Sequence, residues 1–381
     1  MRSNRIHQDR RGAVAVLTLC MMIVMLAFIA FAVDIGYLYC VDTELQRTAD
    51  AAAIAAAWRL VEQDQAGATV NAETLATVAT EAGQYAALNT VGNTAVSLSD
   101  SDTDIGELAY PFSSTSAMSF TDPNRFNAVK VRIRKTSAAD GNGSVPLFFA
   151  RILGMSSCDM QREATAAFLN DFRGFQTPGD GRNLEILPFA LDKATWDDLL
   201  AGIGSDNYKW DRETKRVTCG HDGILEVNLY PQGTGSPGNR GTVDIGPANN
   251  STSDICRQIR YGISKSDMDC IGGKLEFNEE GKLFLNGDTG ISAGVKDDPA
   301  SIIGQLRIIP VFSDVAGPGN NAEYTIVRFI GARIMYVKLT GSPSGKQVII
   351  QPARVVSHGA IPASGTTPAS QFIYSPVWLV R

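Results

Sequence analysis

At 381 residues, 44% hydrophobic and 19% charged, the chain carries enough apolar material to bury the cores of two domains, which excludes wholesale disorder. Its 34 basic and 40 acidic residues leave a net charge of −6, which supplies no general attraction to nucleic acid. The three histidines (His7, His221, His358) are too scattered for a multi-histidine metal site, while 36 glycines and 16 prolines point to strands and turns rather than a helical bundle.

Residues 1–11 form a basic tail containing Arg2, Arg5, Arg10 and Arg11. From Gly12 to Val33 run 22 residues without a charge, a helix long enough to span about 30 Å of hydrocarbon. Eleven of them are strongly apolar, and together they favour insertion by about 3–7 kcal/mol. Residues 12–33 are therefore expected to be a transmembrane helix with the lipid bilayer as partner, anchored through Gly12, Val16, Leu19, Ile23, Leu26, Ile29 and Val33. Asp34 would cost about 3 kcal/mol at mid-bilayer, which places it at the far interface beside Tyr37 and Tyr39. Basic residues before the span, against Asp34, Asp42 and Glu44 after it, put the N-terminus in the cytoplasm and the bulk of the chain outside. Ala30-Phe31-Ala32 also reads as a signal-peptidase site, but the apolar run exceeds the roughly 7–15 residues of a signal-peptide core.

Beyond the span the helix continues. Leu38, Val41, Leu45, Ala49, Ala52, Ala56 and Leu60 recur at helical spacing, and the alanine-rich stretch 49–57 lets another backbone approach closely. Leu45, Ala49, Ala52 and Ala56 are the candidate packing face, set against the first module or against partner helices. Gly67 is the expected stop, followed by a second helix from about Asn71 to Asn89 with Leu75, Val78, Ala79, Ala82 and Ala86 on one side.

Three blocks in register, Arg10-Arg11-Gly12-Ala13-Val14-Ala15-Val16, then Ala32-Val33-Asp34-Ile35-Gly36-Tyr37-Leu38-Tyr39, then Leu45 to Ala57 (LQRTADAAAIAAA), resemble the N-terminal region of TadG-like (TadE/TadG-type) Flp pilus-assembly proteins of bacterial tight-adherence loci. The resemblance is close over residues 10–60 and looser to about Phe168. It implies a bitopic inner-membrane protein whose periplasmic part serves pilus biogenesis or anchors the apparatus, with no catalytic residues to carry over. Two departures stand out. The fifth position after Gly12 is Leu17, where a prepilin has Glu, and Asp288-Thr289-Gly290-Ile291-Ser292 lacks the middle Ser of a von Willebrand-type metal motif and reads as a turn.

The expected fold is α+β: an extracytoplasmic helix packed on a sheet over residues 34–169, a linker at 170–182 rich in Gly and Pro, and a strand-rich domain at 183–381. In the first module, Asn127 to Arg134 alternates apolar and basic, predicting a strand with a solvated cationic face, and Asp140-Gly141-Asn142-Gly143 predicts the turn after it. Pro146 to Gly154 reads as a short apolar helix or strand, and Arg162 to Phe168 as a returning strand. In the second domain the expected strands are 184–191, 224–230, 274–277, 282–286, 306–312, 324–339, 347–351 and 372–380, with a helix capped by Asp192 or Thr195 and another near 253–263.

Candidate chemistry fails motif by motif. Gly233 to Gly238 matches G-x-G-x-x-G but opens no helix, and Gly341 to Gln347 is one residue short of a P-loop and lacks its Ser/Thr. Asp100, Asp102 and Asp104 begin like an EF-hand, yet Ile105 and Pro111 occupy its Gly and Glu positions, so the segment reads as a solvated acidic loop. His221-Asp222 has no nucleophile elbow. Of six cysteines, Cys20 lies in the span, and a Cys256–Cys270 disulfide is the expected bridge, with Cys219 the next partner and zinc disfavoured for want of C-x₂₋₄-C spacing. The expected function is a non-enzymatic, membrane-anchored structural or assembly component of a Flp (Tad) pilus or related secretion apparatus, acting through contacts with other pilus or secretion-apparatus proteins, with no cofactor, catalytic residue or metal. The alternative is a membrane-tethered periplasmic hydrolase or ligand-binding domain, which a deep pocket with clustered, perturbed carboxylates in the second domain would favour.

Overall fold

The computed structural model describes residues 11–63, 70–112, 115–138, 140–229, 242–247, 251–288, 299–317, 322–339, 347–363 and 370–380. Most of the N-terminal tail, Gly67, the glycine-rich loop 233–241, the turn at 289–292 and the loop at 341–346 lie outside them. Helix α1 runs unbroken from Arg11 to Gln63, 53 residues with no proline to interrupt it. Its side chains are exposed from Val14 to Val33 except for half-buried Ala30, and from Val41 onward one side is buried. Helix α2, Ala72–Leu88, begins where the Asn71 side chain accepts the Thr74 amide at 2.9 Å, and it buries Val78, Ala82 and Ala86 in the core it shares with α1.

The opposite side of α1 lies on an antiparallel sheet of β1 (Thr103–Gly106), β2 (Ala128–Lys135) and β3 (Met160–Ala167). Val129, Val131 and Ile133 of β2, with Ala164 and Ala166 of β3, share one core with Leu45, Ala52 and Ala56 of α1. The outer face of β2 is less watery than its alternation suggests. Arg134 pairs at 2.6 Å with Asp102, which is buried, and Lys130 pairs with Glu163 at 2.9 Å. The segment read as a solvated acidic loop is therefore a 3₁₀ turn, Asp100–Asp102, leading into β1, with Asp102 also capping the Ser99 amide at 2.9 Å.

The second unit is built on the long strand β8. Strands β4 (Phe172–Gln176), β5 (Lys274–Glu276), β6 (Leu283–Asp288), β7 (Leu306–Ala316), β8 (Ala322–Lys338), β9 (Gln347–Pro352) and β10 (Ala360–Pro362) form two sheets. In the larger, β8 pairs antiparallel with β6, β7 and β9; in the smaller, β4 lies between β5 and β10. Alternation along β7 and β8 divides their apolar residues between two cores. Ile309, Val311, Ile330 and Ile334 face Trp196 and Ile259 of helices α3 (Lys193–Leu200) and α4 (Thr252–Tyr261). Ile308, Phe312, Tyr324 and Phe329 face Phe172, Phe175 and Leu275 of the smaller sheet. The architecture is α+β with a strand-rich second unit.

Several boundaries move. The expected linker at 170–182 contains β4, the middle strand of its sheet, because Phe172 and Phe175 are both fully buried. Residues 184–191 are not one strand: with Pro188 in their midst, the segment makes isolated bridges at Leu184, Ile186 and Phe189 before pairing at Leu191–Asp192. Of the expected strand 224–230, Val227–Asn228 alone is strand among the described residues. The C-terminal strand divides around Pro376: Ile373–Tyr374 pairs with Val355–Val356, while β11 (Trp378–Val380) leaves the second unit and becomes the edge of the first sheet beside β3. Gly331 allows the crossing, since a Cβ there would collide with the carbonyls of Phe372 and Ala353.

Because Ala52 is sealed between helix and sheet, Ala52→Leu should lower the stability of the full chain in detergent by about 1–3 kcal/mol, read as a shift in the chemical denaturation midpoint. Ala76→Leu, at an exposed position of α2, should stay within about 0.5 kcal/mol.

Candidate membrane anchor and packing site

The anchoring positions fall on α1. Val16, Leu19, Ile23, Leu26, Ile29 and Val33 are all exposed, between 47% and 62%, on the stretch of α1 long and apolar enough to cross a membrane, and Gly12 lies in the first turn of the same helix. The hydroxyl of Thr18 is satisfied within the helix, donating to the Val14 carbonyl at 2.9 Å, as a polar side chain in hydrocarbon requires.

Asp34 closes that stretch in an arrangement the sequence did not signal. It is only 4% exposed, covered by the loop after Val145–Pro146. Its Oδ1 accepts the Phe148 amide at 2.8 Å, its Oδ2 accepts the amides of Phe149 at 3.0 Å and Ala150 at 2.7 Å, and the Tyr37 ring packs edge-on against Phe148 at 5.2 Å. These amides open the 3₁₀ turn Ala150–Leu153, whose unpaired donors the carboxylate satisfies. Burial pushes the Asp34 carboxyl up, but the three amides, aided by the Arg151 charge, outweigh it and hold the group below its ordinary value. Among the two expected neighbours, Tyr37 is half-buried by this contact and Tyr39 is 71% exposed.

The candidate packing residues Leu45, Ala49, Ala52 and Ala56 are each fully buried against the chain's own sheet and α2, so partner helices do not reach them. Ala53, Ala57 and Val61, which sequence periodicity did not single out, are buried as well. Polar contacts fix the register: Arg162 of β3 meets Asp42 of α1 at 2.7 Å, and Glu44 accepts the Gly92 amide at 2.7 Å. On the outer side, Ala51, Ala55, Trp58 and Tyr85 line an open groove of about 470 Å³ between α1 and α2.

A larger cleft of about 610 Å³ opens on the first module, lined by Gln46, Asp50, Asp104, Lys130 and Glu163. Its lysine and glutamate are engaged with each other. In the second unit, buried Glu226 accepts the Asn207 and Tyr208 amides at 2.9 and 2.7 Å, and burial, with Asp206 and Asp222 nearby, raises its pKa. His221 is 81% exposed and faces Asp206, whereas Asp222 accepts from the Gln351 amide at 2.9 Å, so the adjacent pair does not act together. Cys256 and Cys270 are not joined. Cys256 is half-buried against the core under α4, and Cys270, on helix α5 (Lys265–Cys270), is exposed and donates to the Ser266 carbonyl at 3.3 Å. No group of three or more His, Cys, Asp or Glu among the described residues is placed to hold a metal ion.

Residues 12–59 match the family model described as "Putative Flp pilus-assembly TadE/G-like", and residues 55–166 match the one described as "Putative Tad-like Flp pilus-assembly". Together they extend from the start of α1 through α2, β1 and β2 into β3. No curated protein and no solved structure matches the chain.

Since the Asp34 pKa is lowered on folding, its contribution is complete at pH values above the ordinary carboxylate value of about 4 and is lost as pH falls through the lower folded value. Asp34→Ala should therefore have a lower denaturation midpoint than wild type at pH 7, with the gap closing below about pH 4. A gap that stays constant from pH 7 to pH 2 would mean the carboxylate charge does no stabilising.

Proposed function

We propose, from the match of residues 12–166 to family models of Flp pilus assembly, that the chain is a membrane-anchored structural component of a Flp (Tad) pilus or related secretion apparatus, held in the bacterial inner membrane with its N-terminus in the cytoplasm and its bulk in the periplasm, and acting through protein contacts without catalysis. The observation that carries this reading is the continuity of α1. One helix presents lipid-compatible side chains over 14–33 and then enters the core of the first module without a break, so the folded body is mounted on the span as a rigid extension. The basic N-terminal flank supports the orientation. For partners, the groove between α1 and α2 offers a contact surface that combines small Ala51 and Ala55, aromatic Trp58 and Tyr85, and charged Arg59, Glu62 and Glu81.

Two measurements test this. A phosphatase reporter fused to the C-terminus should be active and a cytosolic β-galactosidase reporter inactive; the reverse pattern refutes the topology. A photo-crosslinker at Tyr85, in cells that carry the complete apparatus, should capture other apparatus proteins. Captured products confined to this chain would reject action through partner contacts at that groove.

A further inference from the structure

The loop that covers Asp34 carries a group of large apolar side chains that the fold leaves outside. Phe148 is 56% exposed, Phe149 43%, Ile152 86%, Leu153 75% and Met155 53%. Single exposed apolar residues are ordinary on a protein surface, but five within eight positions of one short loop are not. Two features of the geometry say what faces them. First, the backbone of this loop is bound to residue 34 itself, through amides 2.7–3.0 Å from the Asp34 carboxylate, so its height along α1 is that of the end of the apolar span. Second, the span is exposed right up to that level, with Phe31 at 54%, Val33 at 47% and Ile35 at 37%, so both apolar surfaces lie at the same height on the molecule.

We infer that this loop is a second membrane contact: residues 148–155 dip into the outer leaflet of the bilayer that α1 crosses, with lipid covering the apolar tip and Arg151 at the level of the headgroup phosphates. The inference rests on the membrane-anchor reading above and adds to it a specific lipid-facing surface on the folded body. The chemistry fits an interfacial site. Two phenyl rings and three aliphatic chains enter the boundary between headgroups and acyl chains, while the one charged side chain among them, exposed Arg151, has a long stem that reaches back to phosphate. The polar backbone of the turn is not a burden in that setting, because Asp34 accepts the amides that hydrocarbon would leave unpaired. The consequence is orientation: a single helix is free to tilt and rotate about its axis, and a second insertion beside it defines which face of the body points toward the membrane.

The test uses the full chain in vesicles of phosphatidylethanolamine and phosphatidylglycerol, with p-benzoylphenylalanine introduced singly at Ile152, Leu153, Ile23 or Trp58, then irradiated and analysed by mass spectrometry for lipid adducts. Trp58 is the control on the same helix, about 36 Å beyond Asp34 at 1.5 Å per residue. The expected result is adduct at Ile152 and Leu153 comparable to Ile23 and about tenfold above Trp58, as burial in the acyl boundary requires. Adduct at Ile23 with none at Ile152 and Leu153 overturns the loop contact and leaves the anchor standing. Absence at Ile23 as well removes the anchor and the loop contact together. Crosslinks from Ile152 and Leu153 to a second copy of the chain in place of lipid also overturn the inference, since the apolar tip would then be a protein interface.

Discussion

One helix that must satisfy two solvents sets the terms for the rest of this molecule. Over its first twenty or so residues α1 needs a surface of hydrocarbon compatibility, and over the remainder it needs neighbours on two sides, with no break in the backbone between. The change of environment happens at Asp34, where an ionised group would be costly if left facing lipid. The chain resolves this locally by bringing three backbone amides from a loop more than a hundred residues distant in sequence onto the carboxylate. That contact satisfies the carboxylate at the end of the apolar stretch and fixes where the first module begins relative to it. The register of everything above follows from the same point, through Asp42 to Arg162 and Glu44 to Gly92, each a few residues farther along the helix.

Above that point the packing relies on small side chains. Ala52 and Ala56 on one line and Ala53 and Ala57 on the next are all sealed, which lets a sheet and a second helix both approach α1 closely. Only one of those lines was legible in the sequence. In a stretch of nine residues of which seven are alanine, there is too little contrast between apolar and polar positions for periodicity to reveal a second buried line, and only contacts made by α2 and β2 define it. The apolar stretch, by contrast, was legible because its signal is an absence of charge over a fixed length, and it falls on the helix that is long and apolar enough to cross a membrane.

The second unit shows which signals survive in a sequence and which do not. Long strands such as β7 and β8 were visible because bulky β-branched and aromatic residues accumulate in them. The segment 170–182 looked like a linker because Gly174, Pro178, Gly179 and Gly181 fall within it; what mattered were two phenylalanines, Phe172 and Phe175, that fill the core beneath β4. Asp34 was missed for a different reason. Its partners are main-chain amides of Phe148, Phe149 and Ala150, and no residue type announces a backbone donor. The same holds for β11, whose pairing with β3 joins residues some two hundred positions apart and leaves no local trace.

That last pairing changes how the two units are held together. A connection through one flexible linker would let the second unit swing freely, whereas here the chain leaves the first sheet after β3 and returns to it as β11, with the two crossing strands side by side. Serine hydroxyls stitch them: Ser375 accepts the Leu169 amide at 2.8 Å, Ser370 accepts the Phe172 amide at 2.9 Å, and Phe168 packs edge-on against Tyr374 at 5.9 Å. Relative rotation of the units would have to break these bonds together with the ladder between β11 and β3, and buried amides that lose their acceptors carry a cost of about 1–3 kcal/mol each. The path from the apolar stretch to the far sheet therefore runs through α1, the first sheet and a double crossing, with hydrogen-bonded or packed contacts at each junction.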